Sequence, residues 1–238
     1  MYYLLRHISP PCGHADLLRL AYLAGVTGKA DTVDSILTPL MEQRFDECQI
    51  KLDRLRVVFR GGQCHGCVSR FRLMEAMETF YNTLSPHMLP QMESLNPKSL
   101  PEARRRAWRS IVQVLWSMHN GTKRDKSKYY VRGVGPYFAK KLCEMLLVAG
   151  LNHQGGLYLE PADELFVADL WPIPLNSRNT LADIFPTIKN WPAGEQDAIL
   201  RESLRCLERS MQNGVGGISV LVAACCFWQE QAHGTIFW

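Results

Sequence analysis

A Gly-Val-Gly-Pro turn at residues 133–136 runs without interruption into the apolar-periodic stretch YFAKKLCEMLLVAG, Tyr137 to Gly150, and few local patterns restrict a backbone more tightly. Gly133 and Gly135 admit dihedral angles closed to residues with a Cβ and let a second backbone come close. Pro136 suits a first helical position, where its fixed φ and missing N–H cost nothing. Beyond it, Phe138, Leu142, Met145 and Leu146 keep one helical face apolar, and Lys140 and Lys141 fall near the helix start. The stretch therefore predicts a tight hairpin feeding a helix N-terminus, with cations beside N–H groups that have no intrahelical partner. Such an arrangement can hold a phosphate. Taken alone, the same pattern also fits an ordinary interhelical turn, so the flanks decide between the two.

Upstream, Trp108–His119 reads as a helix, and Lys123, Arg124, Lys126 and Lys128 make the linker to the hairpin basic. Arg104, Arg105, Arg106 and Arg109 form the densest cationic cluster. Alone it would pass for a solvated helix face; beside the hairpin it points to nucleic acid. The net charge is only +4 over 238 residues, which excludes a uniformly basic coat and leaves nucleic-acid affinity to a local patch.

The spacing of Val131, Gly133, Val134, Gly135 and Ala139 resembles the helix-hairpin-helix element of the base-excision DNA glycosylase superfamily. That resemblance implies an all-α, glycosylase-like helical fold and a double-stranded DNA partner. Its backbone contacts would come from Arg132, Gly133, Val134, Gly135, Tyr137, Lys140 and Lys141. Lyase-type members carry a Lys two residues after the second hairpin Gly, as the amine that forms a Schiff base. Here that position is Tyr137, and the segment after the hairpin helix, residues 152–158, lacks the carboxylate that glycosylases place there. The nearest acids are Glu160, Asp163, Glu164 and Asp169.

A narrower resemblance covers about residues 104–238. The succession GVGPYFAKKLCEMLL, ADELFVADLWPIPLNSRNTLADIF and ISVLVAACCFWQEQ is similar to the α-glutamyl/putrescinyl-thymine pyrophosphorylase family, phage-associated relatives of the glycosylases. Where relatives carry Gly-Pro-Gly, then Arg and Gly-Leu, this chain has Ile173 to Leu181 with Arg178 and Leu181 recognisable. The resemblance implies transfer of a small amine or amino acid to an activated, pyrophosphorylated 5-hydroxymethylpyrimidine in DNA, with loss of pyrophosphate. That reaction needs a cation for the leaving phosphates, a carboxylate for the amine, and a base taken out of the stack. Arg178 suits the first task because a guanidinium pairs two phosphate oxygens at once, and Asp169 or Asp163 suits the second. Tyr158, Phe166 and Trp171 are stacking candidates that would serve equally as core aromatics. Monofunctional base excision and a non-catalytic DNA-binding helical module remain the alternatives.

Cys64 and Cys67, in GGQCHGCVSR, have the spacing of two zinc ligands, and Cys12 with His14 could complete a tetrahedral shell. Incidental reduced thiols fit the same spacing, and no organic cofactor is expected. Cys48, Cys143, Cys206, Cys225 and Cys226 lie in apolar helical patterns, where a thiol packs as a small hydrophobe. No apolar run spans a membrane and no signal peptide is evident, so a cytoplasmic protein is expected.

Along the chain, helices are predicted at Ala15–Ala24, ended by Gly25; from Asp31 as N-cap towards Phe59, with a break or late start at Pro39; and over Phe71–Leu84. Ser85–Leu100, with Pro86, Pro90 and Pro97, reads as a loop dividing an N-terminal region, 1–100, from a glycosylase-like region, 101–238, unless the two form one domain. Residues 151–186 read as a long functional loop. Glu195–Met211 is predicted helical, and Asn213–Gly217 is read as a second Gly-Val-Gly turn before a last helix, Ile218–Glu230.

Overall fold

In a computed structural model of the chain, the residues described are 13–27, 30–54, 73–118, 129–131, 134–151, 157–160, 167, 170, 182 and 186–215. Among them all regular structure is helical. The elements are α1 (His14–Thr27), α2 (Ala30–Met41), α3 (Phe45–Arg54), α4 (Leu73–Glu93), α5 (Pro101–Ser117), α6 (Pro136–Leu151), a 3₁₀ turn (Pro186–Asn190) and α7 (Ala193–Val215). The chain divides into two compact units, Met1–Asp163 and Glu164–Trp238, so residues on both sides of position 100 share the first unit.

The first unit is built around α1. Every residue from Leu17 to Val26 is buried, so this helix has no solvent face and must be enclosed on all sides. It packs against α2, α4 and α6, while α4 also meets α3 and α5, and α5 meets α6. Gly25 does not end α1, which runs on to Thr27. A Cβ at Gly25 would lie 2.5 Å from Cε2 of Phe138. The missing side chain is what lets α6 approach. Tyr22 continues the junction: its ring meets Phe138 edge-on at 5.4 Å and Phe80 of α4 at 4.7 Å. One aromatic cluster thereby joins α1, α4 and α6.

Charge is buried in the same unit where it ties helices together. Arg19 on α1 donates Nε–H to Glu78 Oε1 on α4 at 2.8 Å. Its guanidinium also lies 3.7 Å from the centre of the Tyr81 ring. The Glu78 carboxylate and the Tyr81 ring on α4 therefore hold a cation that a hydrophobic core would otherwise reject.

Three further helix boundaries differ from the sequence expectation. Asp31 lies inside α2, not at its cap, and the helical stretch breaks at Gln43, which has φ 56°. There the Arg44 N–H donates to the Pro39 carbonyl at 2.7 Å and the Gln43 N–H to the Leu40 carbonyl at 3.0 Å. This pair of bonds is a Schellman termination with Gln43 in the position usually taken by glycine. Second, α4 continues through Pro86 and Pro90 to Glu93, so this part of Ser85–Leu100 is not a loop. The two prolines are one helical turn apart on the exposed face, where the carbonyls they leave unpaired can meet water, while Leu84, Met88 and Met92 stay buried. Third, α7 runs through Gly214 and Val215, so the second Gly-Val-Gly begins inside a helix. Within the stretch read as a functional loop, Val167, Leu170 and Ala182 are helical. Residues 216–238, including the last predicted helix, lie outside the described residues.

Candidate nucleic-acid interface

The hairpin closes between α5 and α6 through the backbone. The Val131 N–H donates to the Met118 carbonyl at the end of α5, at 3.1 Å, and the Val134 N–H to the Val131 carbonyl at 3.2 Å, so the backbone at 134 is tied back to 131 just before α6. The Ala139 N–H then donates to the Gly135 carbonyl at 3.1 Å as the first bond of α6. Gly135 is thus the N-cap residue and Pro136 the first helical one, in keeping with the sequence reading. Val131 and Val134 are buried and anchor the turn from beneath. Tyr129, just before it, meets His87 of α4 edge-on at 4.7 Å.

Gly135 itself corrects one inference. A Cβ placed there meets nothing within 4 Å, and its backbone is not in the left-handed region, so the turn does not require glycine at this position. The bare Cα instead keeps the space in front of the α6 N-terminus clear.

Lys140 is a second correction. It is 5% exposed and cannot offer its ammonium to a duplex as the exposed cation expected beside the hairpin. The reason is angular. At about 100° per residue, Lys140 shares a flank with Leu147, seven residues on, and that flank is packed. Tyr137 and Lys141 lie in the first two turns of α6, but their side chains are outside the description, as are Arg132 and Gly133 altogether.

The arginine cluster separates into two roles. Arg104 is 2% exposed, because it occupies the same helical stripe as Trp108, Ile111 and Leu115. Its Nη1 donates to the Ser99 carbonyl at 2.6 Å, and its Nη2 lies 2.8 Å from Glu160 Oε1. The guanidinium also lies 5.4 Å from the centre of the Tyr158 ring, and the Tyr158 N–H donates to the Leu95 carbonyl at 2.8 Å. Arg104 therefore pins residues 157–160 against the start of α5. Leu157 and Leu159 are buried on the other side of this segment, and a Cβ at Gly150 would lie 2.9 Å from Leu159 Cβ. Tyr158 is half-buried in that clasp. The apolar register of α5 carries the signal for Arg104, since position 104 falls in phase with 108, 111 and 115. Arg105, Arg106 and Arg109, out of that phase, are exposed.

Asp163, Asp169, Arg178, Phe166, Trp171, Cys12, Cys64 and Cys67 lie outside the described residues. His14 is described: its Nε2 is buried and has no hydrogen-bond partner among the described residues. No group of three or more His, Cys, Asp or Glu side chains suited to a metal occurs among the described residues. Of the cysteines read as small hydrophobes, Cys48 and Cys143 are buried, whereas Cys206 is exposed. No described helix is long and apolar enough to cross a membrane. Compared with protein-family models, curated proteins and solved structures, the chain matches none.

Proposed function

We propose that this chain binds duplex DNA through the hairpin between α5 and α6 and modifies a base in place, transferring a small amine or amino acid to a pyrophosphorylated 5-hydroxymethylpyrimidine. The observation that carries the DNA-binding part is the Val134 N–H bond back to the Val131 carbonyl just before an α6 N-terminus with open space at Gly135. A helix start of this kind offers main-chain N–H donors and a favourable dipole to a phosphate, without reading bases. The chemistry rests on the sequence resemblance. In this reading Arg178 meets the charge that develops on the departing pyrophosphate, and Asp169 holds and deprotonates the incoming amine. Tyr137, lacking an amine, argues against a Schiff-base lyase.

The hairpin reading is tested by Gly135→Val. Because the added atoms start in empty space, the variant should keep its fold, yet its side chain would stand between the helix start and the DNA backbone. Affinity for unrelated duplexes should fall by the same factor for each. A folded variant that binds like the parent removes the hairpin from the interface.

A further inference from the structure

We infer that His87 of α4 is a positioning residue for the hairpin: its ring holds the limb that leads into the turn, so that the start of α6 meets a phosphate already aimed. This rests on the proposal that the hairpin binds DNA, and it assigns a role to a side chain on another helix. The limb, Tyr129 to Val131, belongs to no helix. The Val131 N–H bond to the Met118 carbonyl, at 3.1 Å, attaches it to the end of α5. A single hydrogen bond is a pivot about which a chain can still swing. Two residues earlier, at most about 7 Å along the backbone, the Tyr129 ring meets the His87 ring at 4.7 Å with the planes 87° apart. Two attachments on two helices set a direction. It is the direction in which the backbone enters Val134, Gly135 and α6.

His87 stands on a fixed support. Leu84 and Met88, on either side of it in α4, are both 0% exposed. The helix is fastened to α1 through Glu78 with Arg19 and through Phe80 with Tyr22. Pro86, immediately before His87, locks its own φ at about −65°. His87 itself is half-buried, and among the described residues it makes no hydrogen bond or ion pair. What it gives Tyr129 is therefore an aromatic ring in the edge-on arrangement that such pairs favour, not a charge or a hydrogen bond. Another planar ring should serve as well, and a truncated side chain should not.

The test compares the parent with His87→Ala and His87→Phe by amide hydrogen exchange and by affinity for a fluorescent duplex of arbitrary sequence. An aromatic pair shifts an equilibrium by about two- to tenfold beyond the area it buries. In the free protein, His87→Ala should speed exchange of the Val131 and Val134 amides by about that factor, and duplex affinity should fall about two- to tenfold, alike for unrelated sequences. His87→Phe should keep both at the parent's values. In a double-mutant cycle, adding His87→Ala to Tyr129→Ala should cost little beyond Tyr129→Ala alone, because the two residues share one contact. His87→Leu, which keeps bulk without a ring, should weaken binding in the same direction and gives the reading if the alanine variant folds poorly. A merely structural role would lower the melting midpoint of folded His87→Ala while duplex affinity stayed at the parent's value, and that result overturns the inference. So does a loss of affinity in His87→Phe, or full additivity in the cycle. If Gly135→Val still weakens binding in those cases, the hairpin keeps its place in the interface. A parent chain that binds no duplex overturns both.

Discussion

Replacing Arg104 with methionine isolates what holds residues 157–160 to α5. The substitution preserves much of the buried stem, which packs beside Trp108, but removes the charge and the donors. Lost are the bond to the Ser99 carbonyl at 2.6 Å, the contact with Glu160 at 2.8 Å and the guanidinium over Tyr158 at 5.4 Å. Breaking a fully buried ion pair costs about 3–5 kcal/mol, chiefly because the abandoned charge stays dry. Here the abandoned Glu160 side chain is 43% exposed and can take up water. The Ser99 carbonyl loses a charge-assisted bond of about 1.5–3 kcal/mol, and the cation–π contact adds about 0.5–1 kcal/mol. These are not additive, and a net cost of about 2–3 kcal/mol is expected for Arg104→Met. At about 2–4 °C per kcal/mol for a chain of this size, the unfolding midpoint should fall by about 5–10 °C. Glu160→Gln should cost about 1–3 kcal/mol, since the guanidinium that loses its carboxylate is 2% exposed and stays dry, while the amide oxygen can still accept a hydrogen bond. Urea unfolding followed by circular dichroism and by the tryptophan signal measures both. The reasoning is refuted if either Arg104→Met or Glu160→Gln lies within about 0.5 kcal/mol of the parent.

Gly25→Ala should destabilise the chain by about 1–2 kcal/mol, because the new methyl meets the Phe138 ring at 2.5 Å and outweighs the helix-propensity gain. Adding Phe138→Leu to that variant should recover part of the loss in the same melt, whereas a Gly25→Ala variant as stable as the parent would contradict the close approach. Stability should decline in alkali. Burial pushes the Tyr22 phenol and the Cys48 thiol upward, so both folded-state groups stay neutral where the unfolded chain ionises. Their contribution is fully present below the unfolded values, about 8.5 for Cys and about 10 for Tyr, and is lost as pH rises through the folded ones. Tyr22→Phe should flatten the fall above about pH 10; a melting profile that is level to that pH and beyond would sink the assignment.

The helical period in the sequence is enough to find α4, α5, α6 and α7, whose apolar positions recur at helical spacing, while the mostly apolar run at Leu17–Val26 marks α1 as an enclosed helix. Local punctuation was the weaker guide. Gly25, Pro86 and Pro90 look like breaks in the sequence, and in each case tertiary context outweighs the local cost. Gly25 makes room for Phe138, and the prolines sit where their unpaired carbonyls face water. The break at Gln43 had no such mark, since a non-glycine residue takes the left-handed position there. At the interface, the turn and the α6 start were legible from Val131 to Ala139, but the fate of each cation was not. Arg104 and Lys140 are buried by their phase on the helix, and a charge count ignores phase. Counting Arg104 in the apolar register of α5 would have separated it from Arg105, Arg106 and Arg109.

The central claim is that a base in DNA is altered and retained. Duplex DNA carrying pyrophosphorylated 5-hydroxymethyluracil, incubated with this protein and a mixture of amino acids and polyamines, is then digested to nucleosides and weighed by mass spectrometry. The account predicts a nucleoside heavier than 5-hydroxymethyl-2′-deoxyuridine by one amine or amino acid less water, stoichiometric pyrophosphate, and loss of both with Arg178→Ala at nearly unchanged duplex affinity. Free base released without added amine, or a borohydride-trapped protein–DNA adduct, would contradict it and assign the chain to base excision.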